Sequence, residues 1–357
     1  MRNICFMTGN LSNPGGTERV GSIIANGLAS KGYNIVFASI SGGSEPFFPL
    51  DSSIKTVTLL KKPGKLIYRT PFLISSIRKM LIAEDIDILI VIESMATLFT
   101  LPATINLNIR HICWEHFNFT VDLGKYGRRL ARQLAAIYCD AIVTLTERDE
   151  GLWKKNTLHN NQIVTIPNPS PYKPQYYDKS ENKIALAVGR LTKQKGFDYL
   201  LQIWSIISKG QNDWQLIIVG DGENRKDLLS FIQTHNLEAS VSIVGNTNDI
   251  SYYYKIANIL CMSSRYEGFP MVLLEALSFG LPVVSFDCNT GPSEILENTG
   301  SILVPPGDIT TFASELNSLM LNQPRRIEIS KKSVKKSKQY QPERIIDMWV
   351  NLIQNIN

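Results

Sequence analysis

With 357 residues, the chain is long enough for two domains of ordinary size. Its 44% hydrophobic and 19% charged residues exclude a disordered chain, and a net charge of +5 leaves any electrostatic function to local clusters. Five scattered cysteines without a C-x-x-C pair predict a reduced, cytoplasmic protein without a structural zinc site. The N-terminus lacks a signal-peptide pattern, and no apolar run approaches the roughly 20 residues of a membrane span.

Short apolar strands alternate with helices through the first half of the chain. Strands are predicted at residues 3–8, 34–40, 54–60, 87–92, 110–113, 141–145 and 162–166. Helices are predicted near residues 17–31, 71–83, 95–104, 126–138 and 147–155, with Thr17 as the cap of the first. This alternation is typical of a parallel, doubly wound α/β sheet.

Four prolines between Pro167 and Pro174 interrupt this pattern and predict an interdomain linker. The alternation then restarts, with strands predicted at residues 184–188, 214–219, 241–244, 259–262, 282–286 and 301–304. Helices are predicted near residues 197–208, 225–235, 251–256, 270–279 and 310–321. We therefore predict an N-terminal Rossmann-like domain over residues 1–168 and a C-terminal one over residues 169–340. An apolar stripe in residues 341–357 predicts a final helix that packs back on the first domain.

The stretch from Glu267 to Glu275 holds two carboxylates eight positions apart, with a Gly-Phe-Pro turn after the first. Pro270 is predicted in the first turn of a helix, where its missing N–H costs nothing. Glu267 would then precede the helix and Glu275 would lie inside it. The backbone N–H groups from Phe269 to Val272 would face an anionic or hydroxyl-rich ligand. Two solvated surface glutamates are the alternative.

Several glycine-containing loops follow predicted strands, where ligands bind in sheets of this kind. The loop from Gly189 to Gly196 contains Arg190 and Lys195, whose fork of donors and point charge suit a diphosphate. Gly15-Gly16 would let a phosphate or a sugar approach the backbone, but no G-x-G-x-x-G is present, so NAD and FAD are not expected. Gly245-Asn246 suits a base or a ribose, and equally an ordinary turn.

His116 lies just past the predicted strand at 110–113 and is a candidate donor to a phosphate or a sugar hydroxyl, although a lone loop histidine is more often inert. With two sheets, we expect the ligand site in the cleft between the domains. Asp85-Ile86-Asp87 matches a metal-binding D-x-D pattern, but it precedes its strand, away from that end of the sheet. No metal site is predicted, and no metal is expected to be required.

Together these motifs resemble the family 4 glycosyltransferases, retaining enzymes of the GT-B fold that use an activated nucleotide sugar. The resemblance spans almost the whole chain. The matching stretches are Gly15-Gly16-Thr17-Glu18-Arg19, Gly189-Arg190 with Lys195-Gly196, Gly220-Asp221-Gly222, Glu267 with Glu275, and Pro305-Pro306-Gly307-Asp308. The resemblance implies a GT-B fold: two Rossmann-like α/β domains facing across a cleft, with a C-terminal helix that crosses back to the first.

The resemblance also implies roles for individual residues. The implied catalytic residues are Arg190 and Lys195 on the diphosphate, Glu267 on the donor sugar and His116 on the reacting sugar. The implied donor-binding residues are Gly15, Gly16, Gly189, Asn246, Gly268, Phe269, Pro270, Met271, Val272 and Glu275, the last binding the ribose hydroxyls. In the front-side attack attributed to this family, the leaving diphosphate helps to deprotonate the acceptor, and no protein nucleophile is needed.

Residues 290–295 resemble a subset of the family that uses UDP-sugars in bacterial polysaccharide and lipid-linked oligosaccharide assembly. The expected reaction is transfer of a hexosyl or N-acetylhexosaminyl group from a UDP-sugar to a lipid-linked glycan acceptor. A GDP-sugar-dependent mannosyl- or fucosyltransferase is an alternative, as are a nucleotide-sugar epimerase and a phosphorylase. A subunit that binds nucleotide sugar without turnover is the non-enzymatic alternative.

Basic residues alternate with apolar ones in the first domain, where the acceptor is expected to bind. They are Lys61, Lys62, Lys65, Arg69, Arg78, Lys79, Lys125, Arg128, Arg129 and Arg132. This face predicts peripheral contact with an anionic membrane on its cytoplasmic side, or with a lipid diphosphate, against the alternative of a solvated helix face. A second basic run between Lys331 and Lys338 is predicted to be solvated. No nucleic acid is expected, because aromatic residues are not interleaved with these clusters.

Overall fold

The computed structural model describes residues 2–43, 45–60, 66–122, 124, 126–176, 182–210, 213–247 and 249–356. The chain divides into two compact units. Unit 1 comprises Met1–Pro171 and Pro342–Asn357, and unit 2 comprises Tyr172–Gln341. Each unit contains one parallel sheet, so the predicted fold class of two doubly wound α/β domains is confirmed. Four lysines of the predicted basic face, Lys61, Lys62, Lys65 and Lys125, lie outside the described residues.

Unit 1 has a seven-stranded sheet within the described part of the chain, in the order β3-β2-β1-β4-β5-β6-β7. Its strands are β1 Asn3–Thr8, β2 Asn34–Ser41, β3 Lys55–Leu60, β4 Ile88–Ile92, β5 Arg110–Trp114, β6 Ala141–Thr144 and β7 Gln162–Thr165. Its first helices are α1 Gly16–Ser30, α2 Leu66–Ala83, α3 Thr97–Thr104, α4 Tyr126–Tyr138 and α5 Glu147–Asn156. Every residue of β4 is buried, as expected for a parallel strand covered on both faces.

Unit 2 has six strands over its described residues, in the order β10-β9-β8-β11-β12-β13. They are β8 Ile184–Val188, β9 Gln215–Val219, β10 Val241–Val244, β11 Ile259–Met262, β12 Val283–Phe286 and β13 Ile302–Val304. The helices are α6 Phe197–Ile207, α7 Arg225–Thr234, α8 Ile250–Ile256, α9 Met271–Ser278, α10 Gly291–Leu296, α11 Ile309–Leu321 and α12 Gln323–Ser337.

The last helix, α13 Pro342–Asn355, packs on unit 1. Its residue Ile346 lies against Gly27 of α1, where an added Cβ would sit only 2.1 Å from the isoleucine Cδ1. Trp349 meets Trp114 edge-on, with 4.9 Å between the ring centroids. The apolar stripe predicted for this segment is therefore the face that unit 1 buries.

Two helices of unit 2 were not predicted from the sequence. Residues 323–337, for which only a solvated basic run was predicted, form α12. Its first turn contains Pro324 and is capped by Asn322 through the N–H of Arg325 (3.0 Å). The short helix α10 was also missed. Among the described residues, no helix has the length and apolar character that a bilayer crossing requires.

Candidate functional site

The loop after β8 is shaped by glycines at both ends. An added Cβ at Gly189 would lie 3.3 Å from Cδ of Lys195, so the lysine side chain runs across this glycine. Gly196 has a φ of +65°, and an added Cβ there would lie 2.0 Å from the carbonyl oxygen of Ser263. Gly196 requires glycine for both space and φ, whereas a side chain at Gly189 would need the Lys195 side chain to shift.

Lys195 pairs with Glu267 inside unit 2. Its Nζ lies 2.7 Å from Oε1 of Glu267, and the hydroxyl of Ser264 donates to the same oxygen at 2.7 Å. The two charged side chains are 17% and 8% exposed. The sequence placed both residues at the donor site but did not predict this pair. It brings a cation from the loop after β8 and a carboxylate from the loop after β11 to one point at the carboxyl edge of the sheet.

Arg190 differs from Lys195 in its surroundings. Its side chain is exposed, and no ion pair joins it to any part of the chain that the structure describes. The adjoining backbone is fixed by the next loop, because Leu191 donates its N–H to the carbonyl of Asp221 at 2.9 Å. An added Cβ at Gly222 would lie 2.5 Å from the carbonyl oxygen of Leu191. The guanidinium is thus carried into solvent on a rigid loop.

Arg265 links the loop after β11 to the start of α6, a contact that the sequence analysis missed. It donates to both carboxylate oxygens of Asp198, at 2.8 and 2.6 Å, and to the carbonyl of Lys193 at 2.8 Å. Burial raises the pKa of Asp198, but the hydrogen bonds from Arg265 outweigh it and leave the pKa below its usual value. This contact holds together the two loops that carry Lys195 and Glu267.

Helix α9 begins at Met271, one residue later than predicted. Pro270 is the N-cap, with φ −71° and ψ 106°, and its carbonyl accepts the N–H of Leu273 at 3.0 Å. The expectation that Pro270 lies inside the first turn is wrong, because its ψ is extended rather than helical. The predicted donor-binding residues Gly268, Phe269, Met271 and Val272 all lie around this cap.

The segment 289–291 supports the turn before α9. Glu267 donates its N–H to the carbonyl of Asn289 at 3.2 Å, and Thr290 returns a hydrogen bond to the carbonyl of Glu267 at 3.1 Å. An added Cβ at Gly291 would lie 2.6 Å from Cδ of Pro270. The Thr-Gly-Pro motif that suggested a donor class therefore has a structural role beside the Glu267 turn.

Glu275 is buried in α9 and has a partner that the motifs did not predict. The hydroxyl of Tyr254, itself fully buried, donates to Oε2 of Glu275 at 2.6 Å. Tyr254 stacks on Phe279, with ring planes 12° apart. The carboxylate is therefore held in one orientation before any ligand binds. Asn246, the remaining predicted residue of unit 2, is exposed just after β10.

Gly15 and Gly16 open α1 in unit 1. The helix begins at Gly16 with Gly15 as its N-cap, so the predicted cap at Thr17 is wrong. An added Cβ at Gly15 would lie 2.1 Å from Oε2 of Glu18. The space above this glycine is thus taken by a carboxylate of the first turn, which the positive end of the helix favours. Burial raises the pKa of Glu18 above its usual value.

His116 lies after β5 with its ring against Trp114, at 4.6 Å between centroids. Its Nε2 is buried and has no hydrogen-bond partner in the described part of the chain. Desolvation lowers the pKa of His116 to about 3, so the imidazole is neutral at physiological pH. A neutral imidazole can donate or accept one hydrogen bond at this nitrogen, but it brings no positive charge to a phosphate.

A buried ionic cluster supports the His116 loop. Oε1 of Glu115 accepts the N–H groups of His116 and Phe117, both at 3.1 Å, and Oε2 accepts the hydroxyl of Ser94 at 2.5 Å. Nε of Arg132 lies 3.5 Å from Oε2, and a terminal nitrogen of Arg128 lies 3.9 Å from Oε1. All three charged side chains are at most 5% exposed.

The predicted basic face of unit 1 is corrected by this cluster. Arg128 and Arg132 were assigned to a surface for a membrane or an acceptor, but they are 4% and 2% exposed. Arg78 turns to the backbone and donates to the carbonyls of Ala103 and Ile105, at 3.0 and 2.7 Å. Arg129, by contrast, is exposed. The residues that the structure describes contain no group of three His, Cys, Asp or Glu side chains arranged to hold a metal.

Two family models match consecutive parts of the chain. The model for glycosyltransferase family 4 matches residues 14–170, and the model for glycosyl transferases group 1 matches residues 171–336. A Haemophilus influenzae protein described as an uncharacterized glycosyltransferase is 38% identical over 355 residues, which are 99% of this chain and 100% of that protein. The chain belongs to the family 4 glycosyltransferases. The family predicted from the motifs is thereby confirmed.

Two further relatives of this glycosyltransferase have named activities or pathways. The amylovoran biosynthesis glycosyltransferase AmsD of Erwinia amylovora is 30% identical over 367 residues, 99% of this chain and 100% of that protein. A Campylobacter jejuni α-1,4-N-acetyl-D-galactosaminyltransferase acting on a GalNAc-GalNAc-diNAcBac-PP-undecaprenol is 25% identical over 368 residues, 100% of this chain and 99% of that protein. The relatives thus include bacterial glycosyltransferases of polysaccharide synthesis, some with lipid-linked acceptors.

Solved structures confirm the GT-B fold of this glycosyltransferase. Sucrose-phosphate synthase from Thermosynechococcus elongatus superposes with a TM-score of 0.86 at 18% identity, covering 100% of this chain and 99% of that one. Anabaena HepE in complex with UDP-glucose gives a TM-score of 0.82 at 18% identity, covering 99% and 100%. At such identities the likeness concerns the fold alone.

Proposed function

We propose that this glycosyltransferase moves a hexosyl or N-acetylhexosaminyl group from a UDP-sugar to a lipid-linked glycan, with retention, in bacterial surface polysaccharide synthesis. The observation that carries the proposal is the Lys195–Glu267 pair beside the exposed Arg190 at the carboxyl edge of the unit 2 sheet. A diphosphate placed there would meet one oriented ammonium and one solvated guanidinium. Both charges can stabilise the negative charge that develops on a departing nucleoside diphosphate.

In the proposed reaction the acceptor hydroxyl attacks the anomeric carbon from the face that the diphosphate leaves. The bond between that carbon and the diphosphate oxygen breaks, the new glycosidic bond forms, and the diphosphate takes the hydroxyl proton. Lys195 and Arg190 would lower the energy of the leaving group, and Glu267 would hold the Lys195 ammonium in position. No nucleophilic side chain is needed, which suits a site whose carboxylates are already engaged.

The remaining predicted residues would orient the donor. Glu275, held by Tyr254, would accept hydrogen bonds from the ribose hydroxyls, and Asn246 and Gly189 would lie near the nucleoside and diphosphate. The turn at Gly268 to Val272 would bind the sugar through its backbone. His116, as a neutral imidazole, would exchange a hydrogen bond with the reacting sugar. Gly16 would approach the phosphates through its backbone, since the space above Gly15 is taken by the Glu18 carboxylate.

The UDP-sugar and the lipid-linked acceptor are supported by relatives rather than by residues of this chain. The Campylobacter jejuni relative acts on an undecaprenol-linked glycan, and HepE binds UDP-glucose. A GDP-sugar and a binding subunit without turnover are the alternatives. We propose that no metal is required, because Lys195 and Arg190, on the loop proposed to bind the diphosphate, can supply the positive charge that a metal would bring.

Unit 1 would bind the acceptor and touch the membrane on its cytoplasmic side. Because Arg128 and Arg132 are buried, the proposed membrane contact moves to side chains that are exposed. On α2 these are Phe72 and Lys79, and on α4 they are Tyr126, Arg129 and Leu130. Aromatic and basic side chains together suit an anionic bilayer surface.

The proposal is tested by a transfer assay with the full-length protein. UDP-glucose, UDP-galactose, their N-acetylamino forms and GDP-mannose are offered with undecaprenyl-diphosphate-linked glycans, with and without EDTA. Proton NMR of the product reports the configuration of the new bond. Transfer from a UDP-sugar with retention and without metal supports the proposal. Transfer from GDP-mannose, an inverted product or loss of activity in EDTA would each overturn the corresponding part.

A further inference from the structure

A cavity of about 660 Å³ opens in unit 1 at the carboxyl ends of β1, β2, β3 and β4. The strand order reverses between β1 and β4, and ligands of doubly wound sheets bind at this kind of reversal. The volume lies within the range of small-molecule sites, roughly 300 to 1,000 Å³. The size and the place therefore indicate a binding site for a small molecule or for one end of a longer one.

The wall of this cavity combines two carboxylates, one guanidinium and an apolar side. Glu18 and Glu93 are the carboxylates, and Arg69 is the cation. Ile92, Met95 and Phe99 belong to the apolar side. Carboxylates accept hydrogen bonds from hydroxyl groups, and an apolar wall suits the C–H face of a sugar ring. Among the described residues that line the cavity, two carboxylates against one guanidinium make the wall unfavourable for an anionic sugar.

Glu93 has a backbone conformation that singles it out among the cavity residues. Its φ is +75° and its ψ is 133°, a region that favours glycine, and residues held there cluster at functional sites. The conformation is fixed from both sides, because the Glu93 N–H donates to the carbonyl of Trp114 at 2.9 Å and its carbonyl accepts the N–H of Ala96 at 3.2 Å. A purely structural role at this turn would be filled without strain by glycine.

The Glu93 carboxylate is also oriented from behind. A terminal nitrogen of Arg128 lies 3.8 Å from its Oε2, and Arg128 is buried over the ring of Phe117, 4.0 Å from the centroid. The Glu93 side chain itself is 32% exposed and lines the cavity. A strained backbone and a buried arginine thus hold one partly exposed carboxylate at the cavity wall, as preorganised recognition groups are held.

We infer that this cavity binds the terminal sugar of the acceptor, that this sugar is neutral, and that Glu93 determines the preference by accepting its hydroxyl groups. Sugars with a carboxylate or a phosphate on the bound ring are rejected by Glu93 and Glu18. The inference rests on the proposed function, since only a glycosyltransferase has an acceptor. The binding of a neutral sugar to unit 1 can nevertheless be measured without any transfer.

The test uses the full-length protein and saturation-transfer NMR. The probes are the methyl glycosides of glucose, galactose, N-acetylglucosamine and N-acetylgalactosamine, with methyl glucuronide as an anion of the same ring size, each up to about 10 mM. We expect at least one neutral glycoside to bind wild type and the glucuronide not to bind. Glu93→Gln should weaken that binding about tenfold or more. Glu343→Gln, an exposed carboxylate on α13, is the matched control and should leave it unchanged.

Glu93→Gly separates recognition from folding. Glycine accepts the positive φ, which offsets the lost contact between Glu93 and the buried Arg128, so this variant should still fold, as a cooperative melting curve would show. It should weaken the binding of the neutral glycoside to the same extent as Glu93→Gln. Equal binding of the glucuronide, no neutral glycoside bound by wild type, or full binding by both Glu93 variants would each overturn the inference.

A parallel titration with UDP keeps the two proposals apart. UDP binding without any neutral glycoside bound would overturn the cavity assignment and leave the proposed function standing. A neutral glycoside lost in both Glu93 variants, together with no UDP binding, would uphold the cavity and count against the proposed function.

Discussion

The two units hold their charged residues in opposite ways. In unit 2 the Lys195–Glu267 pair lies at the sheet edge, and Arg190 next to it is exposed on a fixed loop. In unit 1 Glu115, Arg128 and Arg132 are buried and directed at one another and at the backbone of residues 116–121. In the first arrangement Arg190 is exposed to an approaching anion, while Lys195 and Glu267 are largely buried as a pair. In the second arrangement the charged groups are buried and interact with one another and with the backbone.

This difference suggests that the exposed charge binds ligands, whereas the buried charges hold parts of the protein in place. A buried ion pair is no reliable source of stability, but removing one partner is costly because the other charge is left without compensation. An exposed charge adds little to stability, and its removal therefore reports on ligands alone. Arg190 variants should therefore report on ligand binding, whereas variants that break a buried pair, Glu115 with its arginines or Lys195 with Glu267, should also lower stability.

The largest effect is expected from Glu115→Ala. This change leaves two buried guanidinium groups without their carboxylate, so the free energy of unfolding of unit 1 should fall by about 3–5 kcal/mol. Hydrogen exchange of β5 and α4, followed by mass spectrometry, measures this change unit by unit. Ser94→Ala removes one hydrogen bond to the same carboxylate and is the milder control, with about 1 kcal/mol expected. A Glu115→Ala protein within 1 kcal/mol of wild type would show that the cluster is not the support described above.

Lys195→Ala should act on turnover and, because it leaves the buried Glu267 carboxylate without its cation, on stability as well. Loss of this charge is expected to lower kcat/KM for the nucleotide sugar by about a hundredfold, near 2.7 kcal/mol, and by no less than about tenfold. Steady-state kinetics measure it, with the thermal melting curve as a check on folding. Lys193→Ala is the matched control, since Lys193 is an exposed lysine of the same loop. Equal losses in both variants would assign the effect to the loop rather than to Lys195.

Asp149 gives unit 1 a dependence on pH. The residue is buried beside the ionic cluster, and burial raises its pKa to about 7, against 3.8 for the free side chain. Between pH 4 and pH 7 the folded protein keeps a proton that the unfolded chain has lost, so stability from this group falls as pH rises. Asp149→Asn cannot titrate, so its stability relative to wild type should rise by as much as about 4 kcal/mol between pH 4 and pH 8.

Two histidines of the same unit act in the opposite direction. Burial lowers the pKa of His111 to about 4 and that of His116 to about 3, so their contribution is lost as pH falls below about 6.5. These groups are common to wild type and Asp149→Asn and cancel in the difference. Denaturant unfolding of both proteins at a series of pH values measures it. A difference that stays constant with pH would contradict the assignment to Asp149.

The smallest effect is expected from Tyr254→Phe, which removes the 2.6 Å hydrogen bond to Glu275. UDP should bind several-fold more weakly, by about 1 kcal/mol, because the carboxylate is no longer held in one orientation. Calorimetric titration measures the change. Tyr252→Phe, on the exposed side of the same helix, should bind UDP as wild type does. If both variants bound UDP equally well, Glu275 would have no role in nucleotide binding.

The sequence predicted those features that follow from periodicity and loop position. The alternation of apolar strands and helices predicted both sheets. The glycine-containing loops after strands predicted that the site lies near Lys195 and Glu267. The predictions failed where tertiary contacts decide. Arg128 and Arg132 were predicted to be exposed, because the spacing of residues in α4 does not show that both lie close to Glu115 in the folded unit.

Partners from distant parts of the chain could not be predicted for the same reason. Tyr254 and Glu275 are 21 residues apart, and Lys195 and Glu267 are 72 apart, so both pairs exist only once the sheet brings their loops together. Helix α12 was missed because its lysine-rich sequence has a weak apolar stripe, although Asn322 and Pro324 carry the signal of a helix start.

The central claim is that Arg190 and Lys195 form a nucleoside diphosphate site, and calorimetric titration with UDP tests it most directly. Wild type, Arg190→Ala and the control Lys193→Ala are titrated with UDP and with GDP, in EDTA and without it. We predict micromolar UDP binding in wild type and in the control, unaffected by EDTA and weakened by about tenfold or more in Arg190→Ala. UDP binding that persists unchanged in Arg190→Ala, or no binding of either nucleotide to wild type, would contradict this account.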